Sequence, residues 1–191
     1  MRELTSIDSN SSGDPNCFCS LADLQLMLDA LRTEKEQGAA AMIVRKGEGG
    51  RREILEHVSL GVETGVPGDA WGRNPQRDIE AQLAVMQLDV AELIAAGQPL
   101  ALFGDNLFLT LDLSAENLPP GSRLRVGEAL LEVTPLPHDG CRKFRARFGD
   151  EALKFVSNPR QRHRNLRGIY LRVVQEGEVR QGDAARVESR A

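Results

Sequence analysis

The residues best equipped for chemistry cluster in one stretch, TPLPHDGCRKFR, residues 134–145. Cys141 follows a Pro-His-Asp-Gly turn and is itself followed by Arg142, Lys143 and Arg145. The thiolate is the nucleophilic and metal-binding form of cysteine, and neighbouring cations favour it. Gly140 allows the backbone to approach a ligand closely. A free cysteine is often just a small buried apolar residue. The cations and the polar turn argue against apolar surroundings, so Cys141 is the candidate nucleophile or metal ligand.

A second cationic stretch, NPRQRHRNLR, holds Arg160, Arg162, Arg164 and Arg167. Guanidiniums suit bidentate binding of phosphate or other oxyanions, although an exposed basic loop would read the same way. From Cys141 to Arg172 there are ten Lys/Arg against two Asp/Glu. The remaining residues carry fourteen against twenty-six, so a segment of +8 sits in a chain of net charge −4. Concentrated positive charge on an acidic protein points to an anionic small molecule rather than to nucleic acid.

Other chemistries find little support. Cys17 and Cys19 form C-x-C, but the three histidines, His57, His138 and His163, are scattered and no second cysteine pair exists. Structural zinc needs about four ligands. The GVPGDAWG stretch carries Asp69 but no P-loop lysine follows it, and GxGxxG, HExxH and GxSxG are absent. Asp105 and Asn106 open a strand in FGDNL, where they either make a turn or present polar edges to a ligand.

The elements that must position these residues are short. Residues 5–16 are rich in Ser, Asn, Asp, Gly and Pro and read as a mobile leader. Leu21, Leu24, Leu28 and Leu31 make a helical stripe, with Ser20 and Asp23 as a capping box and Gly38 as the stop. Strands are expected at AAAMIVRK, EILEHVSL, AQLAVMQL, DNLFLTLDL, RLRVG, ALLEVTPL, KFRARFG and RGIYLRVVQEG, with a last short strand after Gly182-Asp183. KFRARFG alternates Phe144, Ala146 and Phe148 with Lys143, Arg145 and Arg147. DVAELIAAG and DEALKFVSN read as short helices, and residues 61–78 as a long Gly- and Pro-rich loop of the kind that carries function. Eight or nine strands with three helices fit a β-barrel or sandwich better than βαβ units.

In order, GVPGDAWG, the block from LFGDNL through LEVTPLPHDGCRKFRARFG, and LRGIYLRVVQEGEVRQGD resemble the MOSC family, the domain named for the C-terminal part of molybdenum-cofactor sulfurases. The resemblance covers roughly residues 39–187 and is closest to compact stand-alone bacterial members. Many members read Pro-Cys where this chain reads Gly140-Cys141. The resemblance implies a mainly β fold, a MOSC-type β-barrel with a few short helices, occupying 39–191. Residues 1–38 would add a mobile leader and an N-terminal helix. It implies that Cys141 ligates molybdenum in a molybdenum–pterin cofactor or carries sulfur as a persulfide. Asp69, Asn106, His138, Lys143, Arg145, Arg162 and Arg167 would line the cofactor pocket. The reaction implied is reduction of N-hydroxylated compounds, with a cysteine desulfurase or an electron-transfer protein as partner. A non-catalytic sulfur carrier or a small-molecule-binding barrel is the alternative. Any pyridoxal phosphate link belongs to the family name, since no such site is identifiable in this chain. The lack of an apolar leader or of a run of about 18 apolar residues leads us to expect a cytoplasmic protein without membrane or nucleic-acid partners.

Overall fold

The computed structural model describes residues 7–8 and 11–191. Strand β1 (Ile7–Asp8) is followed by helix α1 (Leu21–Ala30), then β2 (Gln37–Lys46), β3 (Arg51–Leu55) and β4 (His57–Leu60). Next come α2 (Ala70–Arg73), β5 (Leu83–Gln87), α3 (Leu88–Ala95) and β6 (Leu107–Leu109). The hairpin β7 (Arg123–Val126) and β8 (Ala129–Val133) leads to α4 (Arg142–Val156) and then to β9 (Ile169–Gln175), β10 (Gly177–Arg180) and β11 (Ala184–Ser189).

Seven of these strands close into a barrel in the order β2-β11-β7-β8-β9-β5-β6, with β6 returning to β2. All neighbours are antiparallel except β5 and β6. β3 extends the sheet beyond β2 and carries β1, while β4 and β10 form a separate ribbon. The mainly β expectation is met. Closure explains the sparse aromatic content inside: Ile43, Leu83, Val85, Leu107, Leu131 and Leu171 fill the barrel as aliphatic side chains.

One side of the barrel has a second apolar layer. Val44, Met86 and Phe108 point outward from β2, β5 and β6 and meet α1, α3 and α4 through Leu24, Leu28, Ile94, Phe144 and Phe148. β5 is therefore buried on both faces and reads as a continuous apolar run rather than an alternation.

Three expectations change. KFRARFG is the start of α4, not a strand. Its alternation matched a period of two, but Phe144, Arg147, Phe148 and Ala152 are the buried positions, which is helical spacing. Arg, Lys and Ala also favour helix over strand. Helix α1 ends at Ala30, and Arg32 Nη1 donates to the carbonyls of Asp29 (3.1 Å) and Leu31 (2.7 Å). Gly38 lies instead inside β2, where a Cβ would fall 2.3 Å from the Thr110 carbonyl oxygen. The expected strand 105–113 shrinks to Leu107–Leu109, with a register shift against β2 between its Phe108 and Leu109 pairs. The Ser20 cap holds: Ser20 Oγ accepts from the Asp23 amide at 3.1 Å, and the Asp23 carboxylate accepts from the Ser20 hydroxyl at 2.7 Å rather than from its amide. The loop 61–78 contains the short helix α2, capped by Asp69.

The described part of the leader is docked on α4. The Gly13 amide donates to the Ala146 carbonyl at 3.1 Å, and the Asp14 amide to Gln98 Oε1 at 2.8 Å. Phe18 covers Gly149, which breaks α4 at φ 88, ψ 172; a Cβ there would meet the Phe18 ring at 2.8 Å. Gly149→Ala is expected to lose about 1–3 kcal/mol of stability, the range for a residue forced into a glycine-only conformation. Urea titration checks this, and Phe18→Ala in the same chain should recover the steric part alone. Wild-type stability in the single variant would refute the account.

Candidate functional site

The site is built where β8 ends and β9 begins. The loop from Thr134 to Gly140 leaves β8 and delivers Cys141 as the N-terminal cap residue of α4, with its carbonyl accepting from the Arg145 amide at 3.0 Å. The Cys141 side chain is exposed and makes no capping hydrogen bond.

Behind that loop lies a buried ion pair. Asp105, wholly buried before β6, accepts from Arg167 Nη1 at 3.0 and 2.8 Å. The guanidinium of Arg167 lies 5.3 Å from the Phe144 ring centroid and 5.9 Å from that of Phe103, so aromatic faces solvate what water cannot. His138 Nδ1 stands 3.5 Å from Asp105 Oδ1 and its ring stacks on Tyr170 at 4.3 Å. His138 Nδ1 and Arg167 Nε are sealed from solvent without a hydrogen-bond partner.

Electrostatics follow from burial. Burial, then the charge of Arg167, pulls the His138 pKa down to about 3 even though Asp105 opposes the shift. The imidazole is therefore neutral at ordinary pH. Burial raises the Tyr170 phenol and lowers Arg147. Arg52, also buried, donates to the Leu102 carbonyl at 2.9 Å and is pushed down to about 10 by burial and by Arg147. Three guanidiniums thus sit inside the protein around Asp105.

A second polar cluster adjoins the first. Asp69 accepts from the amides of Lys46 (2.7 Å) and Trp71 (2.9 Å) and from Asn106 Nδ2 (3.0 Å). Asn106 also donates to the Val44 carbonyl and accepts from the Ala84 amide. Lys46 Nζ reaches Asn106 Oδ1 at 3.4 Å and Asp69 Oδ1 at 3.6 Å. Asp69 and Asn106 are thus committed to holding the loop 61–78 against β2 and β5, and Lys46 is the least buried member of this cluster.

The expected pocket residues divide. Asp69 and Asn106 meet each other, and His138 and Arg167 meet at Asp105. Lys143 and Arg145 lie on the exposed face of α4, where Arg145 pairs with Asp150 at 2.6 Å. Arg162 is exposed and pairs with Asp139 at 3.5 Å. The arginines of NPRQRHRNLR diverge: Arg167 turns inward, while Arg164 reaches Asp29 on α1. Sequence reasoning missed Lys46, Arg147 and Tyr170 as site residues and left Asp105 between a turn and a ligand contact. An acid placed between Phe103 and the apolar run of β6 was the available signal for Asp105. Reading 142–148 as a helix would have turned Arg147 inward with Phe144 and Phe148. Among the described residues no three His, Cys, Asp or Glu side chains converge to hold a metal ion, and no helix is long and apolar enough to cross a membrane.

The His138 shift has a stability consequence. The unfolded chain takes up this proton near pH 6.5 and the native chain only near 3, so the unfolded state binds more protons between these values. Stability should be full above about pH 6.5 and fall as pH drops toward 3. His138→Phe, which keeps a ring against Tyr170, should flatten that slope. Urea midpoints across this range read the difference, and parallel slopes in the two proteins would contradict it.

A model of the MOSC domain matches residues 73–186. Among solved structures, the YuaD protein from Bacillus subtilis aligns with a TM-score of 0.54 at 18% identity, over 81% of this chain and 97% of that one. YiiM from Escherichia coli aligns with a TM-score of 0.53 at 19% identity, over 81% and 71% of the two chains. At these identities the likeness concerns the fold alone. Comparison with curated proteins gives no match. Lys46 and Asp69 lie ahead of the matched residues, and Asp105, His138, Cys141 and Arg167 lie within them.

Proposed function

From the chain's membership of the MOSC domain family, we propose that it holds a molybdenum–pterin cofactor at the Cys141 loop, with Cys141 contributing its thiolate to the metal. The observation that carries this reading is one exposed thiol set beside a buried cationic site with unpartnered N–H donors. The donor chemistry fits. Thiolate is a soft ligand suited to molybdenum, and one protein sulfur suffices for a metal whose pterin brings further sulfur ligands. Arg162, exposed and paired only with Asp139 of the His138 loop, suits a phosphate. Lys143, on the first turn of α4 next to Cys141, adds positive charge there, and Arg145 adds it only by releasing Asp150.

When bound, such a group supplies two-electron redox chemistry, and the protein supplies position and charge. The reaction we assign is reduction of an N-hydroxylated compound. Two electrons from an electron-transfer partner and two protons convert N–OH to N–H and release water. His138 stays neutral within the loop, packed between Asp105 and Tyr170, so it adds no charge to the site. Asp105 and Arg167 hold the loop and the end of α4 in one arrangement.

Protein made in a host with an intact cofactor pathway should carry molybdenum by metal analysis and a fluorescent pterin after oxidation. Cys141→Ser should lose most of the molybdenum while remaining folded. A folded wild-type protein with neither metal nor pterin would end this reading.

The exposure of Cys141 favours a second one, a sulfur carrier. The thiolate of Cys141 would take the terminal sulfur of a cysteine desulfurase persulfide, and the desulfurase cysteine would leave as a thiolate. Incubation with a desulfurase and free cysteine should add the mass of one sulfur atom to the wild type and none to Cys141→Ala. Equal labelling of the two would remove it.

A further inference from the structure

Three observations meet at His138. Its side chain is only 7% exposed, and Nδ1 faces the Asp105 carboxylate at a distance too long for a good hydrogen bond. Arg167 already donates to both Asp105 oxygens. The other side of the ring lines a groove of about 360 Å³ at the barrel rim, walled by Leu118, Pro120, Val133, Pro135 and Ile169, with Arg162 among its lining residues.

The tautomer follows from electrostatics. A ring nitrogen lone pair aimed at a carboxylate is repelled, whereas an N–H is attracted, so Nδ1 carries the hydrogen. Nε2 then bears the lone pair. With Nδ1 sealed on the Asp105 side, Nε2 is the nitrogen offered to the groove. Two other polar side chains of the groove are engaged: Thr134 Oγ1 donates to the Glu80 carbonyl at 2.7 Å and Asn165 Nδ2 to the Leu113 carbonyl at 2.8 Å. Arg162 is held only by a loose pair with Asp139, both side chains being about two-thirds exposed, and such pairs exchange partners at little cost. A ligand would meet a neutral acceptor, an apolar wall and an exchangeable cation, with the exposed His163 at the groove's edge.

We infer that this groove binds a small organic acid that also carries a hydrogen-bond donor, the donor meeting His138 Nε2 and the carboxylate meeting Arg162. The volume lies in the range of small-molecule sites. The inference rests on the polypeptide alone and not on the cofactor proposed above, since binding is measured on metal-free protein.

The test uses the full-length chain and three probes by calorimetry: para-hydroxybenzoate, para-fluorobenzoate, which is similar in size but lacks the donor, and para-hydroxybenzyl alcohol, which lacks the carboxylate. The hydroxy acid should bind best, with each relative roughly tenfold weaker, the effect of one polar contact left unmade in a sheltered site. Arg162→Gln, a surface change, should abolish the preference over the alcohol and keep the preference over the fluoro acid. His138→Phe should do the reverse. Equal binding of the hydroxy and fluoro acids to wild type overturns the acceptor role of His138. Equal binding of the hydroxy acid and the alcohol overturns the role of Arg162, and no binding of any probe to folded protein overturns the groove as a site. The wild-type probe series decides these points even where His138→Phe does not fold.

Discussion

Burying a carboxylate without a partner is among the costliest things a protein can do, and Asp105 is wholly buried. Arg167 answers it with two bonds from one nitrogen, and the rest of the site depends on that pair. Asp105 belongs to the segment entering β6, Arg167 to the segment entering β9, and His138 to the loop leaving β8. Phe144, from α4, lies against the guanidinium. One ion pair therefore ties two strand entries, the loop that ends in Cys141 and the helix that begins there. Removing one partner of such a pair typically costs about 3–5 kcal/mol, because the other is left charged and dry.

Much of the fold was legible because its signals are local. The hairpin at Gly127, the alternation of β9 and the Ser20 cap each sit within a few residues, and each appears as expected. Strand count and turn spacing left a barrel or a sandwich, and the family resemblance pointed to the barrel that the closed sheet forms. What misled was periodicity over a short window. Seven residues of KFRARFG satisfy both a period of two and a helical stripe, and only contact with Phe103 and α1 distinguishes them. The site was legible at Cys141 and His138, where unusual residue types crowd one loop. It was illegible at Lys46 and Tyr170, which come from strands far away in sequence and reach the site only after the barrel closes.

Charge shows the same limit from the other side. The concentration of arginine between Cys141 and Arg172 is real, but the segment does not act as one field. Arg147 and Arg167 are buried, Arg145 and Arg162 are paired at the surface, and Arg172 bonds Glu132 across the sheet at 2.5 Å. A count of cations sums over all of these. Burial separates them, since a guanidinium among Phe rings acts through a low dielectric and one in water is screened.

The barrel closes through β2, which bonds β11 on one side and β6 on the other. Yet β2 ends at Lys46, well before residue 73, where the match to the family model begins. A fragment cut to the matched residues would thus be an open sheet. The edge of β6, and the side of β7 left by a β11 cut at residue 186, would each present unpaired amides and carbonyls, the template for pairing with another chain. The smallest unit of this protein that can close its barrel is larger than the stretch by which its family is recognised.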